Sequence, residues 1–297
     1  MNKGQLEKNI SLKECTSFRI GGPADYFYEA LGAEELIQAQ KLACRLKIPL
    51  FLLGVGSNLL ISDRGFRGLV VKNSYREIKK LKNNCLKVSS GILTAEALNF
   101  CQENGLSGLE FLTGIPGTIG GAICNNAGTP QEPFYGGCIA DVFKKASLLT
   151  AQGKITTVNR SFLSFEYRTS KIKKTSLEKR PIILKSIFQL QESDPADIKK
   201  VIEIKLKKRS AAEPKGFGAG CIFKNPKDNY AGMLIDKANL KGKRIGGAMV
   251  SDLHANYIIN DQNATASDVF KLIELIQKEV KNKFEIDLEL EIELVGF

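Results

Sequence analysis

The sequence predicts an α+β fold with mixed sheets, in which a larger domain is followed by a smaller α+β domain at the carboxyl end. Short apolar strands and amphipathic helices occur along the chain, but not in the regular strand–helix–strand order of an α/β protein. Glycine-rich segments separate many of these elements, and the chain has 27 glycines among 297 residues. A change of character near residue 193 indicates the second domain. We therefore expect a first domain over residues 1–192, with subdomains of about 1–73 and 74–192, and a second over residues 193–297.

The first domain is expected to contain two helices and several short buried strands. Apolar residues at helical spacing predict a helix over Ala33–Lys47, which Ile48-Pro49 ends. Thr94 can cap a second helix that ends at Gly105. The expected strands, each an apolar run beside turn residues, are Leu50–Leu53, Leu69–Val71, Cys85–Ser89 and Pro181–Leu190, with a hairpin over Lys145–Val158 that turns at Gln152-Gly153.

The second domain is expected to begin with a helix at Asp194-Pro195, because proline favours the first turn of a helix. We expect this helix to end before Pro214. Another helix starts at a capping box over Thr265–Asp268, in which the side chains at the two ends can bond each other's backbone. A final strand, in which leucine or isoleucine alternates with glutamate, is predicted over Leu288–Leu294.

Charge and composition indicate which partners the protein can have and argue against a nucleic-acid-binding or membrane protein. The 43 basic and 32 acidic residues give a net charge of +11, which favours anionic partners. We expect no nucleic-acid partner, because no nucleic-acid motif is present and the lysines fall in separated clusters typical of a solvated surface. No apolar run approaches the roughly 18–20 residues that span a bilayer, and the amino terminus lacks the apolar region of a signal peptide.

The cysteines and the histidine exclude several kinds of site. The seven cysteines are scattered without a C-x-x-C pair, which argues against a zinc site and a disulfide framework and favours a reducing cytosol. His254 is the one histidine in the sequence, so neither a Ser-His-Asp triad nor a multi-histidine metal site can form elsewhere. We expect His254 to be a packing residue. The sequence thus predicts a cytoplasmic protein with no metal and no membrane partner.

The segment from Gly114 to Gly128 reads GIPGTIGGAICNNAG and carries no charge. The Pro116-Gly117 and Gly120-Gly121 steps let the backbone turn tightly and come close to another group. Because the remaining residues are small and mostly apolar, we expect the segment to be buried. Such a loop can cradle a phosphate-bearing ligand through backbone N–H groups. The alternative is a complicated turn in the core.

Three further segments carry groups suited to chemistry. Gly54–Asn58 follows a buried strand, but it is not a G-x-G-x-x-G motif and no long helix follows, so it is not a Rossmann fingerprint. In Phe165–Ser170, Arg168 stands beside aromatic residues and offers a charged fork for a carboxylate; the alternative is a surface ion pair. In Gly218–Pro226, small residues precede Cys221, whereas most lone cysteines are packing residues.

Together these segments resemble the UDP-N-acetylenolpyruvoylglucosamine reductase (UDP-N-acetylmuramate dehydrogenase) family, which makes the muramic acid unit of bacterial peptidoglycan. The resemblance runs in the family's order from about Leu12 to Gly296. The segments that carry it are TSFRIGGPA (Thr16–Ala24), GVGSNLLISD (Gly54–Asp63), GIPGTIGGA (from Gly114), YRTS (from Tyr167), the GCIFKNP segment around Cys221 and LELEI (from Leu288).

The resemblance implies a flavoprotein with an FAD-binding portion of the vanillyl-alcohol-oxidase type, followed by a substrate-binding domain. NADPH would reduce a non-covalently bound FAD, and UDP-N-acetylglucosamine enolpyruvate would then occupy the same cleft and become UDP-N-acetylmuramate. A monomer is expected. The residues that the resemblance assigns to FAD are Gly54, Val55, Gly56, Ser57, Asn58, Gly114, Ile115, Pro116, Gly117, Thr118, Gly120, Gly121 and Ala122.

The resemblance also implies a catalytic trio of Arg168, Cys221 and Glu291. Cys221 stands where serine is the commoner residue. The short span from Arg168 to Cys221 is similar to the subtype that lacks an inserted substrate-capping loop. Arg209, Lys224 and Asn225 are our candidates for gripping the substrate phosphates.

The implied chemistry explains why such groups are needed. In the reaction that the resemblance implies, hydride would pass from flavin N5 to C3 of the enolpyruvyl group, and Arg168 could neutralise the negative charge that develops. Glu291 would stabilise the enol form by hydrogen bonding. Cys221 would give a proton to C2, for which a thiol with a reference pKa of about 8.5 is a better acid than serine. A depressed thiol pKa would remove that proton. From alternation alone, Glu291 could equally belong to a solvated face.

Three rival functions remain open at this stage. An oxidase of the same fold would use oxygen on an alcohol; covalent flavin attachment in such enzymes commonly uses histidine, and none lies in the predicted FAD portion. A non-catalytic flavin- or nucleotide-sugar-binding module would show no turnover. A basic nucleic-acid-binding protein is a more distant alternative.

Overall fold

The computed structural model describes residues 5–129 and 136–297, which divide into two compact units. The first unit comprises the described residues of 1–7, 26–54 and 68–209, and the second comprises residues 8–25, 55–67 and 210–297. The expected boundary near residue 192 differs from this division. The helix that begins at Pro195 remains with the first unit, because Ile202 packs against the apolar core there.

The helices of the described residues are α1 Ala33–Leu46, α2 Thr94–Glu103, α3 Ile119–Cys124, α4 Ile139–Val142, α5 Arg160–Leu163, α6 Lys171–Lys174, α7 Pro195–Ala212, α8 Ala231–Lys237 and α9 Ala266–Phe284. Short 3-10 turns lie at Lys13–Cys15, Glu110–Leu112 and Leu177–Lys179. No helix among residues 5–129 and 136–297 has both the length and the apolar character needed to cross a bilayer.

The strands, in chain order within the described residues, are β1 Glu7–Ser11, β2 Pro23–Ala30, β3 Leu50–Leu53, β4 Leu59–Ile61, β5 Phe66–Asn73, β6 Ile78–Lys80, β7 Cys85–Ser89, β8 Leu106–Ser107, β9 Gly128–Thr129, β10 Gly137–Cys138, β11 Phe143–Leu149, β12 Ile155–Asn159, β13 Ile182–Gln189, β14 Gln191–Glu192, β15 Phe217–Cys221, β16 Arg244–Ile245, β17 Ala248–Val250, β18 Tyr257–Asn260 and β19 Glu293–Val295.

The first unit is built on two sheets with separate apolar cores. One sheet has the strand order β12-β11-β13-β7-β6 and is antiparallel throughout. Its core includes the fully buried Leu86, Phe188 and Ile119, so α3 is anchored on this sheet. In the other, strand β3 lies beside β5 and runs parallel to it. The fully buried Leu36 of α1 and Leu69 of β5 share the second core.

The second unit packs α8 and α9 on an antiparallel sheet of order β15-β18-β17-β16. Strand β4 pairs in parallel with β19, which ties the segment 55–67 to the carboxyl end of the chain. Asp63 follows β4, and its carboxylate accepts hydrogen bonds from Ala266 N (2.8 Å) and Ser267 N (3.0 Å). These two donors are unsatisfied within a helix, so Asp63 stabilises the start of α9.

The predicted α+β class with mixed sheets is confirmed, and most predicted elements are present within a residue or two. Two expectations are wrong. Thr94 is the first residue of α2 rather than its cap, because the cap position belongs to Leu93. The predicted strand Leu288–Leu294 is mostly irregular, and only Glu293–Val295 pairs as β19.

Candidate functional site

The segment from Gly114 to Gly128 has a buried side and an exposed side. Ile119 and Ala122 are buried in the core of the first unit, whereas Gly114, Pro116 and Gly121 are exposed. The expectation that the whole segment is buried is therefore wrong. The small apolar side chains face inward, and the glycine backbone is left at the surface, where a ligand can approach it.

Thr118 brings the two predicted FAD loops of the first unit together. Its hydroxyl accepts a hydrogen bond from Gly121 N (3.3 Å) and so caps α3. A Cβ on Gly54, at the end of β3, would lie 2.8 Å from this same hydroxyl oxygen. A Cβ on Gly120 would lie 2.9 Å from Ser90 Cβ. Gly54 and Gly120 are thus required because protein atoms approach them closely.

Gly121 is the glycine whose surroundings fit a bound cofactor. A Cβ there would meet a single protein atom, the Thr118 hydroxyl oxygen, at the ordinary distance of 3.5 Å. Because Gly121 is also exposed, the space beside its backbone is open to a ligand. The open glycine beside a capped turn is consistent with the cradle expected for a dinucleotide phosphate.

Arg209, a predicted phosphate ligand, lies at this glycine segment. It is on α7 in the first unit, and its Cδ and Nε lie 2.7 Å from where a Gly114 Cβ would be. Gly114 also has a φ of +72°, which side chains other than glycine rarely adopt. Lys224 and Asn225, the other two predicted phosphate ligands, belong to the second unit.

Thr94 supports the glycine segment from the start of α2. Its hydroxyl donates to Ile115 O (2.6 Å), and its backbone N–H donates to Gly117 O (3.0 Å). The conformation of the exposed stretch from Ile115 to Gly117 therefore depends on this helix. Sequence reasoning predicted Thr94 as a helix cap and did not predict this contact with the glycine segment.

Arg168 lies in a tight turn at the other end of the glycine segment. The backbones of Glu166 and Thr169 bond each other in both directions, at 3.1 and 3.2 Å. Arg168 has a φ of +56°, a left-handed conformation that is uncommon outside glycine. Its Nη1 donates to Gly128 O at 2.6 Å, and its guanidinium lies 5.4 Å from the centre of the Tyr167 ring. The Arg168 guanidinium is thereby oriented by the carbonyl of Gly128, the final glycine of the segment.

Two buried polar side chains hold this turn in place, a role that was predicted for neither of them from the sequence. Asn126 donates to Glu166 O (3.0 Å) and accepts from Ala140 N (2.9 Å). Ser170 is fully buried and donates to Cys124 O (2.7 Å). A buried asparagine or serine needs such partners, so the N-N pair in the glycine segment was the available signal.

In the second unit, the predicted FAD loop continues through Val55–Asn58. Gly56 is buried with a φ of +64°, and a Cβ there would lie 2.3 Å from Cys15 O. Ser17 N donates to Gly56 O (3.2 Å). The loop is therefore packed on the segment that begins at Cys15, which includes the TSFRIGG motif.

Cys221 ends strand β15 and is half-buried. It pairs with Tyr257 of β18 after a bulge, and Gly220 at the bulge has a φ of +74°. A bulge of this kind redirects the side chains that follow it. Beyond Cys221, the buried Asn256 accepts from Phe223 N (3.0 Å) and donates to Phe223 O (2.8 Å). Asn256 thus fixes the chain just after the thiol.

Glu291 lies directly beside this segment. Its N–H donates to Ile222 O at 2.8 Å, and its carbonyl accepts from Asn58 Nδ2 at 3.1 Å. The structure therefore brings three predicted site residues of the second unit together: Cys221 through its neighbour Ile222, Glu291, and Asn58. Glu291 is half-buried, whereas the side chain of Glu289 is 76% exposed, so the glutamates are not one solvated face.

Lys224 and Asn225 already have partners within the second unit. Lys224 Nζ lies 3.1 Å from a carboxylate oxygen of Glu289. The Asn225 side chain accepts from Ala231 N (3.0 Å) at the start of α8.

The single histidine, His254, accepts from Asn256 N (3.2 Å), and burial lowers its pKa below the usual value. His254 is thus a packing residue, as expected.

Two family models match the chain over separate regions. Residues 24–159 match the model described as FAD binding domain. Residues 213–295 match the model described as UDP-N-acetylenolpyruvoylglucosamine reductase, C-terminal domain.

Full-length relatives and a solved structure agree with these models. A protein of Alkaliphilus metalliredigens named UDP-N-acetylenolpyruvoylglucosamine reductase is 41% identical over 288 residues, covering 96% of this chain and 91% of the relative. One from Caldanaerobacter subterraneus with the same name is 40% identical and covers 100% and 95%. The crystal structure of the Thermus caldophilus enzyme of that name is 32% identical, with a TM-score of 0.82 over 98% of this chain and 99% of that chain.

The chain belongs to the UDP-N-acetylenolpyruvoylglucosamine reductase family. The resemblance expected from the sequence is therefore confirmed, as is the order of an FAD-binding region followed by the family's carboxyl-terminal domain. The predicted site residues of this reductase lie in different units of the structure. Arg168, Arg209 and the Gly114 loop lie in the first unit, and Cys221, Glu291 and Asn58 lie in the second.

Proposed function

We propose that this chain uses FAD and NADPH to reduce UDP-N-acetylglucosamine enolpyruvate to UDP-N-acetylmuramate, a step in peptidoglycan precursor synthesis. The observation that carries the proposal is the hydrogen bond of 2.8 Å from Glu291 N to Ile222 O, which sets Glu291 beside the peptide that follows Cys221. Membership of the reductase family and the match to an FAD binding domain support it.

FAD would be held without a covalent bond by the two glycine loops. In the first unit, the exposed backbone around Gly121 and the Thr118 turn would face its phosphates. Val55, Gly56, Ser57 and Asn58 would supply further contacts with FAD. The chemistry that bound FAD supplies is hydride transfer, from NADPH to the enolpyruvyl double bond.

Arg168 would balance the negative charge that grows on the enolpyruvyl carboxylate during the reaction. Its guanidinium is oriented by the bond to Gly128 O, so little reorganisation is needed when that charge appears. This role requires a charge that is present at every working pH, which a guanidinium provides.

Cys221 would deliver the proton to C2, and Glu291 would stabilise the enol form by hydrogen bonding. The two residues are suited to act on one group, because the peptide that follows Cys221 is bonded directly to the backbone of Glu291. Arg209, Lys224 and Asn225 would bind the substrate phosphates.

We further propose that the protein is a cytoplasmic monomer whose partners are anionic small molecules rather than nucleic acid or membrane. The net charge of +11 suits the capture of two polyanions, NADPH and a sugar nucleotide.

The experiment follows the flavin without oxygen. Purified protein is expected to be yellow, to bleach with NADPH, and to regain its colour when UDP-N-acetylglucosamine enolpyruvate is added. Reoxidation by oxygen but not by the enolpyruvyl compound would favour the oxidase. Protein that binds FAD and shows neither half of the cycle would favour a non-catalytic module.

A further inference from the structure

Glu291 lies in an irregular part of the second unit. It follows the isolated bridge between Phe223 and Leu290 and precedes β19, and it occupies a bend rather than a strand. Its backbone is therefore not held by a regular ladder on both sides. The direction in which the Glu291 carboxyl group points depends on particular hydrogen bonds instead.

One of these bonds comes from a side chain that is distant in sequence. Asn58 Nδ2 donates to Glu291 O at 3.1 Å across a separation of 233 residues, and the bond is partly buried. The other backbone group, Glu291 N, donates to Ile222 O at 2.8 Å. The peptide of Glu291 is thus clamped between the neighbour of Cys221 and the amide of Asn58.

Asn58 is itself firmly placed. Its carbonyl accepts from Glu293 N at 2.9 Å, and the next residue, Leu59, begins strand β4 and pairs with Glu293 of β19. A side chain anchored in this way can hold a partner at a fixed distance. The Asn58 side chain also connects the predicted FAD loop, in which it lies, to the backbone of the predicted catalytic glutamate.

We infer that Asn58 is a positioning residue for Glu291, in addition to any contact with the cofactor. Its amide fixes the Glu291 carbonyl, and this sets the direction of the Glu291 carboxyl group relative to Cys221. The inference rests on the proposed function, because it concerns the stabilisation of the enol form that we propose for Glu291. A displacement of about 1 Å at such a group can cost roughly 100-fold in rate.

The test measures the two halves of the cycle separately by anaerobic stopped-flow absorbance of the flavin. The proteins are wild type, Asn58→Ala, Ser57→Ala, Glu291→Gln and the double variant Asn58→Ala/Glu291→Gln. Ser57→Ala is the matched control, because it alters the neighbouring residue of the same predicted FAD loop. Rates are taken from the flavin-loaded fraction, and the flavin-to-protein ratio and the thermal midpoint are recorded for each protein.

We expect Asn58→Ala to slow reduction by NADPH no more than Ser57→Ala does. It should slow reoxidation by the enolpyruvyl sugar nucleotide by a further 10- to 100-fold, mainly in the limiting rate rather than in the half-saturating concentration. In the Glu291→Gln background, the same change should slow reoxidation less than about threefold, because non-additive losses identify residues that act as a unit.

Two outcomes would overturn the inference. In the first, Asn58→Ala slows flavin reduction and flavin reoxidation by the same factors as Ser57→Ala does. In the second, the fold losses in reoxidation rate from Asn58→Ala and Glu291→Gln multiply independently in the double variant. If Asn58→Ala is insoluble, Asn58→Ser is measured in the same way and judged by the same two outcomes. A wild-type flavin that NADPH reduces but the enolpyruvyl compound does not reoxidise would overturn the proposed function itself, and the inference with it.

Discussion

Cys221 is the residue on which the proposed proton transfer depends. General acids contribute about 10²- to 10⁴-fold to rate, so Cys221→Ala should lower flavin reoxidation by the enolpyruvyl substrate by that amount. Bleaching by NADPH should continue, because the thiol has no part in that half of the cycle. The measurement is anaerobic single-turnover absorbance.

Cys221→Ser is the matched control for this variant, since it keeps a hydroxyl proton at the same place and should retain part of the activity. Normal turnover by Cys221→Ala would show that the proton comes from another group.

Arg168 is placed by an unusual backbone conformation and by its bond to Gly128 O. Removing a group that stabilises developing charge typically costs 10²- to 10³-fold, so Arg168→Ala should lower kcat by about that factor. The flavin-to-protein ratio should stay near that of the wild type. Steady-state kinetics and the visible spectrum check both expectations.

Arg160→Ala serves as the comparison for Arg168, because it removes a guanidinium from an exposed position of the same unit. It should leave kcat within about twofold. An Arg168→Ala protein that cannot take up FAD would assign Arg168 a structural role instead.

At the scale of one element, the start of α9 makes stability depend on pH. The Asp268 carboxylate accepts hydrogen bonds from Thr265 N (3.0 Å) and Gly247 N (3.5 Å), and the bond from the Thr265 backbone is the main cause that lowers the pKa of Asp268. A carboxyl whose pKa is lower in the folded state stabilises the fold above its unfolded pKa of about 3.9. This contribution is lost as pH falls through the folded value.

We therefore expect the wild type to lose free energy of unfolding more steeply below about pH 4 than Asp268→Asn, which has no such proton to bind. Urea unfolding at pH values between about 3 and 7 measures this difference. Parallel curves for the two proteins would mean that Asp268 makes no pH-dependent contribution.

The same scale shows which elements a sequence can predict. The capping pattern over Thr265–Asp268 is local, and it predicted the start of α9 because the bonds that form it join residues three apart. The predicted strand at Leu288–Leu294 failed for the opposite reason. The carbonyl of Glu291 accepts a hydrogen bond from a side chain 233 residues away. An alternating pattern of neighbouring residues cannot predict a partner so distant in sequence.

At the scale of the whole molecule, the candidate site residues could be predicted from their motifs, whereas their division between the units could not. Arg209 was predicted to bind phosphate together with Lys224 and Asn225, and the helix that carries Arg209 was expected to open the second domain. The structure leaves that helix in the first unit, since its apolar face packs in the core there. Sequence spacing cannot show which of two cores a helix joins.

The second unit is discontinuous, so residues 210–297 should not fold alone. That fragment lacks Phe18 and Leu60, both fully buried in the core of the unit, and it lacks the carboxylate of Asp63 at the start of α9. We expect no cooperative thermal transition by circular dichroism, in contrast to the intact chain. A cooperative melt of the fragment would show that the amino-terminal segments are dispensable.

The discontinuity also sets an order of events during synthesis. Asp63 leaves the ribosome 203 residues before Ala266, whose N–H it will bond. Strand β4 likewise emerges long before β19, so its hydrogen-bonding edge has no native partner for most of translation. Contacts between such distant residues form late and slowly, and an unpaired strand edge invites association with other chains. We therefore expect the nascent chain to be most prone to association in the interval before its last strand is made.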